Sequence, residues 1–237
     1  MTARRYTVLC LDMAGTTVAD ADTVMNAFAA AVASRNLPVA QFNSAMKYAR
    51  ATMGYSKIEV FRHILGSEEA AQAANTVFEE TYGASVAAGQ LSPIPGAVPL
   101  FAACRDAGIK VCLSTGFSPV TRDAIVAALG WGSLVDLFLS PADAGRGRPW
   151  PDMPLTALLR LGGGSVSELA VAGDTPSDIE SGLRAGAGLV AGVLTGDSAA
   201  ADLSAVPAGT SFFAPRQPGV PLILNSIAEL APHLGLG

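Results

Sequence analysis

What most constrains this chain is a repeated pattern: short apolar runs, each stopped by one polar residue and followed by a helix-like stretch. Tyr6–Leu11 is a near-continuous apolar run ended by Asp12. Ile109–Ser114, Val135–Ser140 and Glu168–Gly173 repeat the design, the last meeting Asp174. Runs without polar alternation suit strands covered on both faces. Val98–Ala107 (closed by Gly108), Pro119–Leu129, Pro151–Leu161 and Pro176–Ala185 carry helical periodicity. Gly188–Leu194 reads as a further strand and Leu224–Leu234 as a closing helix. Such alternation specifies an α/β fold with a doubly wound parallel sheet. The carboxyl ends of parallel strands share one edge, where ligands bind, so Asp12, Ser114 and Asp174 are expected to converge.

Between about Asp22 and Gln90 the pattern turns purely helical, with helices expected over Ala21–Arg35, Gln41–Thr52, Ser56–Leu65 and Glu68–Ala88. Ser92–Gly96 holds two prolines and a glycine and reads as a hinge. The expected division is a core domain of residues 1–20 and 92–237 and an inserted helical domain of residues 21–91.

Of the 237 residues, 50% are apolar and 15% charged, ample for a buried core, and the net charge of -5 comes without any Lys/Arg cluster. That balance excludes a nucleic-acid surface but not a small anionic substrate met by a local positive site. Cys10, Cys104 and Cys112 show no metal or disulfide spacing and read as small buried hydrophobes. Arg4 and Arg5 before an apolar run resemble a signal peptide only superficially, because Asp12 stops the run. Ala185–Thr195 is too short and glycine-rich to span a bilayer. The expectation is a cytoplasmic protein without a membrane partner.

Asp12 and Asp174 at one strand edge, with Asp178 a helical turn further on, repel one another and call for a counter-cation. Hard oxygen donors favour Mg²⁺. Here DMAGTT (12–17), LSTG (113–116), GRPWPDM (147–153) and GDTPSD (173–178) resemble, in order, the four motifs of haloacid dehalogenase-type hydrolases across essentially the whole chain. The resemblance implies a Rossmann-like core with an all-helical cap. It implies Asp12 as nucleophile forming an aspartyl-phosphate. Ser114 and Thr115 would hydrogen-bond the phosphoryl oxygens, with Gly15, Thr16, Gly116 and Met53 also lining the substrate site. Mg²⁺ would be held by Asp12, the carbonyl of Ala14 and Asp174, supported by Asp178. Dimerisation through the cap is a further implication.

Two departures point to one branch. Most phosphatases of the superfamily carry a second aspartate where this chain has Ala14; that acid protonates a leaving alkoxide. The usual third-motif lysine is replaced by Arg148, whose planar fork suits a phosphoryl group. Both features resemble phosphonoacetaldehyde hydrolase and its phosphonatase-like relatives, in which a cap lysine forms a Schiff base with an aldehyde substrate. MGYSKIE (Met53–Glu59) matches that lysine segment and places Lys57. In carbon–phosphorus cleavage the leaving atom is carbon, and a protonated imine at Lys57 accepts its electrons, so no acid is needed at position 14. Lys57 must be neutral to attack, and burial together with Arg148 would lower its pKa. Val60, Phe117 and Asp22 stand where that branch leads one to expect histidine, tyrosine and cysteine, which favours the phosphonatase-like relatives over phosphonatase proper. His63, two turns beyond Lys57, could act only through water. The substrate is therefore expected to be a small phosphonate. The alternative is a small-molecule phosphate monoester phosphatase, akin to phosphoglycolate phosphatase, and a third reading is a binding module without catalysis.

Overall fold

β1 (Val8–Asp12) is buried at every position and pairs in parallel with β4 (Lys110–Ser114) on one side and β6 (Leu169–Gly173) on the other. A computed structural model describes residues 5–20, 22–205 and 221–236. The six-stranded sheet runs β5-β4-β1-β6-β7-β8, where β5 is Leu137–Leu139, β7 Leu189–Val193 and β8 Leu222–Leu224. Every pair in it is parallel.

Successive side chains of β1 face opposite sides, and each side is covered. Leu9 and Leu11 join Val111, Leu113, Phe101 and Trp131 in one apolar cluster. Val8 and Cys10 join Cys112, Leu139, Ala157 and Leu158 in another. The flanking helices are α5 (Ala97–Asp106), α6 (Pro119–Leu129), α8 (Asp152–Arg160) and α9 (Pro176–Arg184). Short helices α7 (Pro141–Ala144) and α10 (Ala200–Ser204) were not apparent in the sequence pattern.

The helical segment leaves and rejoins the sheet through an antiparallel pair, β2 (Val18–Ala19) against β3 (Ser92–Pro93). Between these lie α1 (Thr23–Ala33), α2 (Val39–Ala51), α3 (Lys57–Leu65) and α4 (Glu68–Ala87). Their boundaries follow from capping: Gly66 adopts the left-handed conformation that ends α3, and the Ser67 hydroxyl accepts from the Ala70 amide to start α4. Phe28, Phe61 and Phe78 pack ring against ring, with centroids 5.2 Å (28–61) and 4.9 Å (28–78) apart. Phe117, from the loop after β4, joins them with its ring 4.7 Å from Tyr82, so one aromatic cluster spans segment and sheet.

The expected closing helix over Leu224–Leu234 does not form. Leu222–Leu224 becomes an edge strand in register with Ala191–Val193, followed by two 3₁₀ turns at Ile227–Glu229 and Ala231–Leu234. Pro232 removes a backbone donor that a continuous helix would need. Among the described residues, no helix is long and apolar enough to cross a membrane.

Candidate active site

Strand register alone brings the first residues together. Asp12 lies directly opposite Ser114 across the β1–β4 ladder. Leu11 pairs with Ala172, which places Asp174 two residues further on at the same edge. One oxygen from each of Asp12, Asp174 and Asp178 can be chosen so that all lie within 4.8 Å of one another, and all three residues are buried. This is a hard, all-oxygen donor set of the kind Mg²⁺ takes.

Arg148 is the positive centre of the cluster. Its guanidinium lies 2.5 Å from an Asp12 oxygen and 2.8 Å from an Asp178 oxygen. It also donates to the carbonyl and the hydroxyl of Ser114, at 2.8 and 2.9 Å. Ser114 thus presents its oxygens to Arg148, while the Thr115 hydroxyl turns back to accept from the Phe117 amide at 3.2 Å. Asp178 doubles as a helix cap, accepting from the amide and hydroxyl of Thr175 at 3.1 and 2.5 Å.

Charge in this cluster is unbalanced. Burial lifts the Asp12 carboxyl to about 7, although Arg148 pulls it down. Burial also raises Asp174 well above the usual range, and repulsion from Asp12 and Asp178 adds to the effect. Burial opposes the charge on Arg148, but Asp12 and Asp178 more than offset this and hold it protonated. Of the three carboxylates the one guanidinium contacts only Asp12 and Asp178, so the residues present fit a second, divalent cation.

The DMAGTT turn shapes the other side. Thr16 donates to an Asp174 oxygen at 2.9 Å. Gly15 has φ +85°, and a Cβ there would stand 2.4 Å from the same carboxylate, so only glycine lets the turn close. Ala14 lines a cleft of about 960 Å³ together with Gly15, Met53 and Asp174. The loop after β7 completes this wall: Thr195 donates to the Gly15 carbonyl at 2.6 Å. No motif in the sequence pointed to that loop.

The helical segment descends onto the site at residues 53–57. Ser177 donates to the Met53 carbonyl at 3.2 Å, and the Lys57 amide donates to the Gly116 carbonyl at 3.1 Å. A Cβ on Gly116 would meet the Tyr55 carbonyl oxygen at 2.3 Å, so this glycine sets the closeness of approach. Lys57 is the first residue of α3 and is only 7% exposed. Its ammonium nitrogen sits 5.1 Å from the Phe117 ring centre and 5.6 Å from that of Phe28. Burial lowers its pKa to about 8, with Arg148 acting in the same direction and Asp12, Asp20 and Asp174 opposing. A helix N-terminus is itself a poor place for a cation.

The other expected residues separate from this group. Val60 is buried, and His63 stacks on Tyr48 at 4.0 Å along a second groove lined also by Ser56 and Arg148 but not by Lys57. Asp22 lines the cleft mouth without capping α1. Trp131 packs in the core, whereas Trp150 is 37% exposed and lies between Arg146 and Arg184. Asp20 was missed altogether. It is buried, lines the cleft and accepts a 3.1 Å hydrogen bond from Tyr82.

A 109-residue stretch is 36% identical to phosphonoacetaldehyde hydrolase of Bacillus cereus, covering 45% of this chain and 40% of that protein. The match thus spans less than half of that relative's length. A phosphonoacetaldehyde hydrolase like protein from Oleispira antarctica superposes with a TM-score of 0.76 at 27% identity, over 98% of this chain and 92% of that one. A predicted phosphoglycolate phosphatase from Haemophilus somnus 129pt gives a TM-score of 0.74 at 17% identity, over 97% and 98% of the two chains, and so shares the fold. The profile of the haloacid dehalogenase-like hydrolases matches residues 6–186, from the first strand to the end of α9, and the chain belongs to that family.

Proposed function

We propose that the chain hydrolyses the carbon–phosphorus bond of a small phosphonate bearing an aldehyde, phosphonoacetaldehyde or a close relative. The observation that carries this reading is a buried amine, Lys57, with its pKa lowered to about 8, at the same site as Asp12. Ala14 in place of an acid supports it, because the leaving group then has to be one that needs no protonation at that position.

The neutral Lys57 amine adds to the aldehyde carbon and water leaves, giving an imine that takes up a proton. An Asp12 oxygen attacks phosphorus, and the electrons of the breaking carbon–phosphorus bond pass into the imine to form an enamine. Protonation of the enamine carbon and hydrolysis of the imine release the free aldehyde. Water then cleaves the aspartyl-phosphate, releasing phosphate. Arg148 and Ser114 orient the phosphoryl oxygens, and the aromatic wall keeps water from the imine. Mg²⁺, held by Asp12 and Asp174 with Asp178 in support, would supply neutralisation of the phosphoryl charge.

Borohydride trapping tests the reading. Incubation with phosphonoacetaldehyde and borohydride is expected to attach the substrate carbon at Lys57. Phosphate release is expected to vanish in Asp12→Asn, which a binding module without catalysis would not require. No attachment, with phosphate monoesters hydrolysed normally, would replace this reading with that of an ester phosphatase.

A further inference from the structure

We propose that Asp20 is a positioning residue for Lys57: its carboxylate, held by the Tyr82 hydroxyl, is the counter-charge to the protonated imine formed on that amine. The proposal rests on the carbon–phosphorus hydrolase reading above.

A cationic imine in an aromatic box needs a nearby anion to keep its proton, since an apolar surround favours the neutral form. The charged groups that bear most on the Lys57 amine are Asp12 on β1, Arg148 before α8, Asp20 beyond β2 and Asp174 after β6. Asp12 is paired with Arg148, and its own charge is spent when its oxygen bonds to phosphorus. Asp174 belongs to the divalent donor set and is bound by Thr16. Asp20 is the one carboxylate of the three that has neither task.

Its placement is built rather than incidental. Asp20 is 7% exposed and lies on the cleft wall with Gly15, Met53 and Asp174. Tyr82, fully buried on α4, reaches across 62 residues of sequence to donate to it at 3.1 Å. The Tyr82 ring packs 4.7 Å from Phe117, and the Lys57 ammonium lies 5.1 Å from that same Phe117 ring. Carboxylate, phenol, ring and amine thus form one continuous chain of contacts. Burial lifts Asp20 to about 6, with Tyr82 and Lys57 pulling down and Asp197 pushing up, so it is ionised at neutral pH.

The test compares two substrates in Asp20→Asn, which keeps an oxygen for Tyr82 but removes the charge. With phosphonoacetaldehyde, kcat is expected to fall about tenfold or more while KM changes by less than about threefold. The acid limb of the pH profile is expected to move down by about one unit, because Lys57 loses a carboxylate. With p-nitrophenyl phosphate, whose leaving group needs neither acid nor imine, hydrolysis is expected to be unchanged. Tyr82→Phe keeps the ring packing and is expected to give a smaller loss of the same pattern. Unaltered turnover and pH profile with phosphonoacetaldehyde would overturn the proposal. So would an equal loss on both substrates, which marks a structural staple. Failure of borohydride to trap the unaltered chain at Lys57 removes the reading underneath, a result read separately from either variant.

Discussion

Arg148 and Asp12 form an ion pair of 2.5 Å in which neither side chain exposes more than 7% of its surface. The guanidinium spans Asp12, Asp178 and Ser114 at once, a reach that a single ammonium cannot reproduce. Arg148→Ala leaves two buried carboxylates without their cation, and urea unfolding is expected to show a loss of about 3–5 kcal/mol. Arg148→Lys restores a charge but not the fork. Phosphate release should still fall by about 10²-fold.

Lys57 gives a pH signature with a definite sign. Its folded pKa of about 8 lies below the ordinary value of 10.5. The unfolded chain therefore binds more protons than the folded one between those values, and stability contributed by this group rises with pH through that window. The cost of burying the cation is fully present below about pH 8. Lys57→Met removes it, so the variant is expected to unfold later at pH 7, by on the order of 1–3 kcal/mol, while losing all turnover of an aldehyde phosphonate. In the unaltered chain, the rate of imine formation should climb as pH rises towards about 8 and then level off.

Divalent ions should act on stability as well as on rate. Without one, the Asp12 carboxyl is lifted from 3.8 to about 7, so the folded chain binds more protons than the unfolded chain between those values. Stability from this group is present at low pH and is lost as pH rises through the window. Mg²⁺ at about 100 times its Kd is expected to add about 2.7 kcal/mol, with the gain larger at pH 7.5 than at pH 5. Thermal melts with Mg²⁺ and with EDTA read this directly, and phosphate release should cease in EDTA.

The contact at Gly116 gives a prediction about distance. A methyl group there would meet the Tyr55 and Gly54 carbonyl oxygens at 2.3 and 2.9 Å. Gly116→Ala should push residues 54–57 off the sheet edge and carry the amine with them. Misplacement of about 1 Å costs about 10²-fold in rate. Phosphonoacetaldehyde turnover should fall by that order, while far-ultraviolet dichroism stays unchanged.

The residues that could be read from sequence were those whose position is set by local pattern. Asp12, Ser114 and Asp174 each close an apolar strand, and parallel pairing leaves such residues nowhere to go but one edge. Arg148 and Lys57 came with motif resemblance, whereas their placement among carboxylates and aromatic rings is set by tertiary packing. Asp20 and Tyr82 gave no signal, because a pair formed across 62 residues has no period to detect. The edge strand Leu222–Leu224 was not anticipated, and its last residue was taken as the start of the expected helix, since so short an apolar run fits either pattern. Thr195 and Gly196 lie past the last recognisable motif, yet their loop closes against Gly15 and Asp174.

The pairing of β2 with β3 has a mechanical corollary. Both passages of the chain between sheet and helices are bonded to each other, so neither can stretch or twist alone. The four helices are carried on a double strap, and the swing open to that strap is one shared pivot. Entry of substrate and escape of product would then be governed at Val18–Ala19 and Ser92–Pro93, positions that never touch phosphorus.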